Sequence, residues 1–461
     1  MPTEAVPATL RAEFVDCTVH VMGTAEVYRL HLGGVVQFDG RLDEMRLARA
    51  MRLLLDAEPV LGCRFDADAA PPVWRRLDGL DEAHLLDVSE STDPAGAAAA
   101  FIAQPFESDG VPRVAAALVH GAAGDTLSVR IGHVAADGGA LKEALYLIGE
   151  IYRQLGERPD WRPAPNVDGT REPATEARLL ERIRLVAKSG QVEFAPASNW
   201  GTVPVLGGRG PVSYVSAWVE PDTFRSARAL GRTSGATVND IVLTALYRTF
   251  HRLIGAVPGG KTPVLVTVDL RKHLPQGTKT ALANISSVWT VPLTAVDGEG
   301  FDDTLARAVE ATREWKRGGA GKAAAAGIPF ARKVIGRNAV AIFRRQVGKM
   351  MDSDEGADAG GSVPVLTNIG LIDDSRLDFG PEVRVTDAYL FSPAAHLGLG
   401  LAASTYRDRL HLSYGTEFAS VDERLATGLV KGTAQEIEAW VGAHAAQVAE
   451  PAHPADSAPG R

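Results

Sequence analysis

The chain has 461 residues, 45% of them apolar, and its formal net charge at pH 7 is −9. This length and composition predict a globular protein of about two or three domains and exclude a single small domain. The acidic balance argues against a nucleic-acid-binding protein, which presents a basic surface to phosphates.

Cys17 and Cys63 are the two cysteines of the sequence, and neither belongs to a C-x-x-C pair. The sequence therefore indicates neither a disulfide framework nor a zinc site, and we expect two reduced structural thiols. Residues 1–5 lack the basic and apolar regions of a secretion signal, and no run approaches the roughly 18 apolar residues of a membrane-spanning helix. We expect a cytoplasmic protein.

Apolar spacing in the first half of the chain predicts alternating strands and helices. The predicted elements are a strand over 27–38, a helix over 42–55, a strand that starts at a proline over 59–65, a strand over 127–133, a helix over 140–155 and helical stretches within 172–188.

Residues 189–211 are rich in Gly, Pro, Ser and Asn, and we place a linker between two lobes there. The second half again mixes both element types, which indicates a layered α/β or α+β architecture. Its predicted strands are 212–219, 263–270, 288–293, 363–369, 397–405 and 410–414. Its predicted helices are 221–231, 237–254 and 422–441, and an Ala/Pro-rich tail over 445–461 is predicted to be disordered.

The segment His133 to Gly138, HVAADG, follows the predicted strand 127–133. Residues 127, 129 and 131 are apolar, so period-two geometry places His133 on the apolar, interior face at the end of the strand. An imidazole has a pKa near neutrality and can remove the proton of a hydroxyl or amine that attacks a thioester. Asp137 can hold the loop by pairing with a cation, and Gly138 allows close backbone approach. A histidine at a strand end is also a common structural residue.

The HVAADG segment resembles the H-x-x-x-D-G signature of the coenzyme-A-dependent acyltransferase superfamily. This superfamily includes chloramphenicol acetyltransferase, plant BAHD acyltransferases, wax ester synthases, polyketide-associated acyltransferases and nonribosomal peptide condensation domains. Segments similar to other family patterns follow one another along residues 10–440: 59–65 (P-x-L-x-x-R-F), 237–241 (VND), 268–271 (VDLR), Asn284 and 366–370 (LTNIG).

The resemblance implies a fold of two chloramphenicol-acetyltransferase-like lobes in a V shape, with the histidine in a tunnel between them. The lobes would be residues 1–188 and 212–444. Two fused lobes can supply the interface that single-lobe relatives obtain by assembling, so we expect a monomer.

The resemblance also implies roles for particular residues. His133 would be the general base, and Asp137 would form a structural pair with Arg271, so that its part in catalysis is orientation of the loop. An N–H of Gly138 would stabilise the oxyanion together with a side chain of the other lobe. The side-chain candidates are Asn284, Thr367 and Asn368, for which hydrogen bonding at strand ends or turns is the alternative role.

The implied reaction is transfer of an acyl group from a pantetheine thioester to a hydroxyl or amine, in natural-product or lipid biosynthesis, without a bound cofactor or metal. The donor would be acyl-coenzyme A or a phosphopantetheinyl carrier protein. Condensation domains have a second histidine where this chain has Gly132, so we place ester or small-amine formation ahead of a free-standing condensation enzyme that forms an amide. A non-catalytic binding module with the same fold is the alternative of another class.

Residues 330–350 contain basic side chains and no acid, in a chain that is acidic overall. We interpret this stretch as a surface for the phosphates of coenzyme A or for an acidic carrier protein. The alternative is a solvated helix face whose apolar side packs inward. The donor-binding candidates are Arg332, Lys333, Arg337, Arg344 and Arg345.

Overall fold

In the computed structural model of the chain, the described residues are 5–25, 31–106, 110–172, 198–204, 206, 208–317, 338–352, 363–394 and 399–449. Their strands, in chain order, are β1 (Thr9–Arg11), β2 (His31–Phe38), β3 (Cys63–Asp66), β4 (Val73–Arg76), β5 (Leu86–Glu90), β6 (Val114–His120), β7 (Asp125–Gly132), β8 (Val212–Val219), β9 (Val264–Asp269), β10 (Ser286–Val291), β11 (Val365–Ile372), β12 (Val385–Phe391), β13 (Gly400–Tyr406) and β14 (Arg409–Glu417). Their α-helices are α1 (Phe14–Thr24), α2 (Glu44–Ala57), α3 (Pro94–Ala103), α4 (Gly138–Glu157), α5 (Pro221–Thr233), α6 (Val238–Ile254), α7 (Phe301–Arg317), α8 (Ala339–Asp352) and α9 (Glu423–Ala449).

A five-stranded sheet in the order β12-β2-β7-β6-β5 supports the first half of the chain. All eight residues of β7 are buried. Leu127, Val129 and Ile131 lie in a core with residues of α2 and α4, as their alternation predicts. The strand that leads to His133 is therefore fixed on both faces by packing.

A six-stranded sheet in the order β10-β9-β11-β13-β14-β8 supports the second half. One of its faces packs on α6 and α9 in a second core. The segment 237–241 forms the start of α6, where Asp240 accepts hydrogen bonds from the N–H of Thr237 at 2.8 Å and from its hydroxyl at 2.7 Å. This capping box satisfies groups at the helix start that have no partner within the helix, so the VND segment has a structural role.

The strand β12 crosses from the second half into the sheet of the first half, where it pairs antiparallel with β2. The sequence had assigned every residue from 212 to 444 to the second lobe. Hydrophobic patterns show which residues are strands but not which strand lies beside which, so this crossing was not predicted. Whether the chain divides into lobes at 188 and 212 stays a prediction.

Several predicted elements differ from the structure. Residues 59–65 are not one strand: Pro59–Gly62 form a 3-10 turn, in which the N–H of Leu61 donates to Glu58 at 3.0 Å, and β3 starts only at Cys63. The helix α9 continues to Ala449, so residues 445–449, which were predicted to begin a disordered tail, are helical. Residues 173–188 of the predicted helical region, and 189–197, 205 and 207 of the predicted linker, lie outside the described residues.

No helix among the described residues is long and apolar enough to cross a membrane. Cys17 and Cys63 are both buried free thiols, and burial raises the pKa of Cys63 to about 11 and that of Cys17 to about 12. Both cysteines are therefore protonated near neutral pH.

The hairpin of β6 and β7 is joined to the start of α2 by a charged cluster around Asp125, whose side chain is buried. Asp125 accepts from the N–H of Leu42 at 2.7 Å, and its carboxylate lies 2.7 Å from the Nδ1 of His120. The Nε2 of His120 lies 3.0 Å from Glu44. The hydrogen bond to Asp125 is the main cause that raises the pKa of His120, with Glu44 adding to it against the opposing effect of burial.

We expect His120 to make the stability of the protein depend on pH. Its folded-state pKa is raised, so the charged form stabilises the fold below the ordinary histidine pKa of about 6.5, and this contribution is lost as the pH rises through the folded-state value. The melting temperature of wild type should exceed that of His120→Gln clearly at about pH 5.5, and the gap should shrink by about pH 9. A difference in melting temperature that stays constant from about pH 5.5 to about pH 9 would contradict a raised pKa of His120 in the folded protein.

Candidate active site

His133 lies in a turn immediately after β7. The strand ends at Gly132, and the N–H of Ala135 donates to the carbonyl of Gly132 at 2.9 Å, which reverses the chain before the strand alternation reaches His133. The residue as a whole is partly exposed, the next four residues are buried, and the imidazole itself is enclosed by protein, in line with its predicted interior placement.

A hydrogen bond within the loop defines the tautomer of His133. Its Nδ1 lies 3.0 Å from the carbonyl oxygen of Ala136. A carbonyl can only accept, so Nδ1 holds the proton and the lone pair of the neutral ring is on Nε2. Burial lowers the pKa of His133 below its usual value, against smaller opposing effects from Ala136, Asp137 and Asn284. The ring is therefore neutral near neutral pH, which is the form a general base requires.

The Asp137 carboxylate is buried and accepts bonds on both oxygens. Its Oδ1 accepts from the N–H of Ala140 at 2.9 Å, which caps α4, and lies 2.9 Å from Arg271 Nη2. Its Oδ2 accepts from the N–H of Ile285 at 2.8 Å and from Arg271 Nη1 at 3.1 Å. Burial would raise the pKa of Asp137, but Arg271 and the two N–H donors hold it below its usual value. This carboxylate joins the loop to the second half of the chain.

Two glycines after Asp137 permit close approach by the second half. A Cβ on Gly139 would lie 2.7 Å from Arg271 Nη1, and a Cβ on Gly138 would lie 3.1 Å from the side chain of Ile369 in β11. Contacts below 3.0 Å are not tolerated without displacement, so a side chain at Gly139 would move the Arg271 guanidinium from its present place beside Asp137. Gly138 and Gly139 also begin α4, where N–H groups have no acceptor within the helix.

Thr367 and Asn368 lie in β11 beside a bulge that projects Ile369 toward the loop. The register of β11 with β13 shifts between Asn368 and Gly370, and Gly370 has a φ of 86°. Asn368 accepts from the N–H of Gly370 at 3.0 Å, and its Nδ2 lies 3.5 Å from the Oδ1 of Asn239. Both predicted candidates are partly exposed. The amide oxygen of Asn368 supports the bulge, as the alternative of turn hydrogen bonding expected.

Asn284 is placed differently from an oxyanion donor. It is 1% exposed, and its Nδ2 donates to the carbonyls of His133 and Val134, both at 2.9 Å, and lies 3.4 Å from Asp16 Oδ1. An amide nitrogen has two hydrogens, so these acceptors use both of them. In this geometry Asn284 holds the backbone of the histidine loop and has no hydrogen left for a substrate oxygen.

The segment 279–285, which contains Asn284, is held by first-half residues that the sequence analysis missed. Glu58 accepts from the N–H of Leu282 at 3.0 Å and from Asn166 at 2.7 Å. Arg171 donates to the carbonyl of Leu282 and, at 3.0 Å, to Asp16. These partners come from distant parts of the chain and belong to no motif, so no local signal marks them.

The basic stretch lies partly in α8. Phe343 packs on Phe14 of α1 with ring centroids 4.9 Å apart, while Arg344 and Arg345 are exposed. In the described part of this helix an apolar side faces inward and a charged side faces solvent, as the alternative interpretation expects, while donor binding stays a prediction. Arg332, Lys333 and Arg337 lie outside the described residues.

A metal site is not formed among the described residues, where no group of three or more His, Cys, Asp and Glu side chains is close enough to hold an ion. The loop around His133 has one imidazole and one carboxylate, and that carboxylate is held by Arg271.

We expect Gly139→Ala to destabilise the protein by about 1–3 kcal/mol, because the new methyl group displaces Arg271 from Asp137. The free energy of unfolding in urea measures this. Gly442→Ala is the matched control: a Cβ there meets nothing within 4 Å in the helix α9, so stability should rise by about 0.5–1 kcal/mol. Equal effects of the two substitutions would show that the Gly139 contact is not tight.

We expect Arg271→Met to cost about 3–5 kcal/mol, because it leaves the buried charge of Asp137 without its counter-ion. Arg271→Lys should recover only part of this loss, since an ammonium group cannot form both bonds to the carboxylate. The exposed pair of Arg313 and Glu310 provides the control, and Arg313→Met should change stability by about 0–1 kcal/mol. Full recovery of stability in Arg271→Lys would argue against a bidentate interaction between Arg271 and Asp137.

Comparison with known proteins was made at three levels. No protein-family model and no curated protein matches the chain. Solved structures do match over nearly the whole length. The polyketide synthase associated protein 5 from Mycobacterium tuberculosis aligns with a TM-score of 0.63 at 15% identity, over 96% of this chain and 99% of that one.

Two further structures represent different activities. The first condensation domain of the calcium-dependent antibiotic synthetase, in complex with a substrate analogue, has a TM-score of 0.64 at 18% identity and 98% coverage of both chains. The TRI3 trichothecene 15-O-acetyltransferase from Fusarium sporotrichioides has a TM-score of 0.69 at 11% identity, over 94% of this chain and 95% of that one. The chain therefore has the mixed α/β fold that these structures share, as the sequence predicts.

Proposed function

We propose that the protein transfers an acyl group from a pantetheine thioester to a hydroxyl or amine, with His133 as general base. The observation that supports this most directly is the state of the imidazole. Burial lowers its pKa and keeps it neutral, and its Nδ1 proton is directed to the carbonyl of Ala136, so that Nε2 carries the lone pair.

The reaction follows from that arrangement. Nε2 of His133 takes the proton of the acceptor hydroxyl or amine while the acceptor atom bonds to the thioester carbonyl carbon. The resulting tetrahedral oxyanion collapses, the carbon–sulfur bond breaks, and the departing thiolate takes the proton from the imidazolium as the pantetheine thiol. The acyl group leaves on the acceptor as an ester or amide, and His133 returns to its neutral form.

The oxyanion in this proposal is stabilised from the start of α4. The N–H groups of Gly138 and Gly139 belong to the first turn of that helix, and the positive end of a helix favours a negative charge. Thr367 and Asn368, both partly exposed in β11 beside the bulge, are the side-chain candidates that remain. Asn284 is assigned to the loop backbone instead, because both of its amide hydrogens are engaged.

Asp137 has no direct part in the proton transfer that we propose. Its oxygens are bonded to Arg271 and to two backbone N–H groups, so it fixes the loop and the start of α4. The donor is acyl-coenzyme A or an acyl carrier protein, and the exposed Arg344 and Arg345 would attract its phosphates or acidic surface.

A condensation enzyme that forms an amide is the second candidate. It is supported by the fold shared with the antibiotic synthetase condensation domain, while the single histidine after Gly132 favours the ester-forming branch. The acceptor that supports turnover separates the two: alcohols favour the first candidate, and carrier-bound aminoacyl groups favour the second.

We expect wild type to release thiol from at least one member of a panel of acyl-coenzyme A and acyl carrier thioesters mixed with alcohols and amines. His133→Ala should lower the rate by about 10²- to 10⁴-fold, the usual contribution of a general base. Burial lowers the pKa of His133, so the wild-type rate should rise with pH and level off near or below about pH 6.5. Thiol release and intact product mass measure these effects.

His84→Ala is the control, because the His84 side chain is 78% exposed and its Nε2 lies 2.7 Å from the surface carboxylate of Asp87. It should keep the wild-type rate. If wild type were silent with every donor, or if His133→Ala kept full activity at unchanged stability, a non-catalytic binding module would replace the proposal.

A further inference from the structure

Asp16 of α1 is a buried carboxylate that contacts the group holding the histidine loop. It is 1% exposed. Its Oδ2 accepts from Trp74 Nε1 at 2.9 Å and from Arg171 Nη2 at 3.0 Å. Its Oδ1 faces the Nδ2 of Asn284 at 3.4 Å. The Oδ2 oxygen also accepts from the N–H of Glu13 at 3.1 Å, so the carboxylate is fixed on one side by three donors and directed at the Asn284 amide on the other.

The amide of Asn284 has one favourable orientation in this setting. Its nitrogen faces three oxygens, which are the carbonyls of His133 and Val134 and the Oδ1 of Asp16. Rotation of the amide by half a turn would bring its oxygen against all three. The contact with Asp16 is the longest of the three, but the Asp16 carboxylate is charged and buried, and electrostatic interactions are strong in a buried environment. Of the three oxygens, that of Asp16 would therefore repel the oxygen of a rotated Asn284 amide most strongly.

The orientation of Asn284 determines where the imidazole lies. The carbonyl of His133 belongs to the same residue as the ring, so the bond from Nδ2 fixes the backbone from which the ring extends. The bond from Nδ1 to Ala136, three residues on, forms only while the loop keeps this closed shape. The side chain of Asn284 also interacts with the imidazole in the sense that raises its pKa.

We propose that Asp16 is a positioning residue for the reaction, acting through Asn284 to hold His133 with its Nε2 lone pair toward the substrate. This inference rests on the proposed function of His133 as base. Asp16 itself touches neither substrate nor imidazole in this arrangement. Many catalytic histidines are oriented by a carboxylate that binds the ring directly. In this loop Asp137 is engaged by Arg271, and Asp16 orients the histidine indirectly instead.

The test compares Asp16→Ala with Asp16→Asn. Alanine removes the charged one of the three acceptors that face the Asn284 amide, and we expect kcat to fall by about 10- to 100-fold, as when other groups that orient a reactive side chain are lost, with little change in KM. Asparagine has one acceptor oxygen and cannot serve both the donors at Oδ2 and the Asn284 amide, so it should recover only part of kcat. The pH at which the rate levels off should move lower in Asp16→Ala, because support for the charged imidazole is lost.

Glu58→Gln is the matched control. It weakens the hold on the same segment at Leu282, two residues before Asn284, without changing the acceptors of the Asn284 amide. It should lower the melting temperature and leave kcat and the pH profile unchanged. Equal losses of kcat in Asp16→Ala and Glu58→Gln, or a loss of stability alone in Asp16→Ala, would overturn the positioning role.

A measurement without turnover separates this inference from the proposed function. The ¹⁵N shifts of the His133 ring, assigned by comparison with His133→Ala, report its tautomer and pKa. Wild type should show the Nδ1–H tautomer, and Asp16→Ala should show a mixture of tautomers and a lower pKa. If these changes occur in a protein that transfers no acyl group, the positioning stands and the function fails. If wild type is active and the ring of Asp16→Ala is unchanged, the positioning alone is wrong.

Discussion

The buried carboxylate of Asp137 is the point on which the arrangement of the site depends. Removing a charge from water costs several kcal/mol, and this cost is recovered only where the remaining lone pairs are all satisfied. Asp137 meets this condition with two bonds from Arg271 and one each from the N–H groups of Ala140 and Ile285. Ala140 belongs to α4, and Arg271 and Ile285 belong to two separate segments of the second half. One charge therefore requires that all of these elements meet at the histidine loop.

The two glycines after Asp137 leave space for the second-half residues that approach the loop. Arg271 passes so close to Gly139 that any side chain there would meet its guanidinium, and Ile369 at the β11 bulge covers Gly138. The loop is thus covered by Arg271 and Ile369 at its two glycines and is held by the Asn284 amide at its start. Within 133–137, His133 is the residue that keeps partial exposure.

The sequence predicted what depends on local pattern. The strand before His133 and the helix after it were predicted because apolar spacing is visible within ten residues. Arg271 was singled out through a family resemblance, and the fold was predicted through the order of several short motifs. Asp16 and Glu58 were not found, because their partners lie 268 and 224 residues away and a lone carboxylate has no spacing to recognise.

The role of Asn284 was mistaken for a similar reason: its residue type fits an oxyanion donor, and only the structure shows that its amide hydrogens are bonded to the loop carbonyls. The helix α3 was missed because its sequence, PAGAAAAFIA, has almost no polar face.

The crossing of β12 has a consequence for biosynthesis. Until residue 391 has left the ribosome, β2 is an edge strand, and the apolar residues Val35 and Val36 lie on it beside backbone groups with no neighbour. A nascent chain of this protein therefore holds an open sheet edge through more than half of its synthesis, at the stage when exposed edges promote association between chains. The strand that completes the first sheet is made almost last, so the first half cannot reach its final form by folding as it emerges. The order of synthesis and the order of assembly are different in this fold, and the cell must keep the early half from pairing with other chains until the late strand arrives.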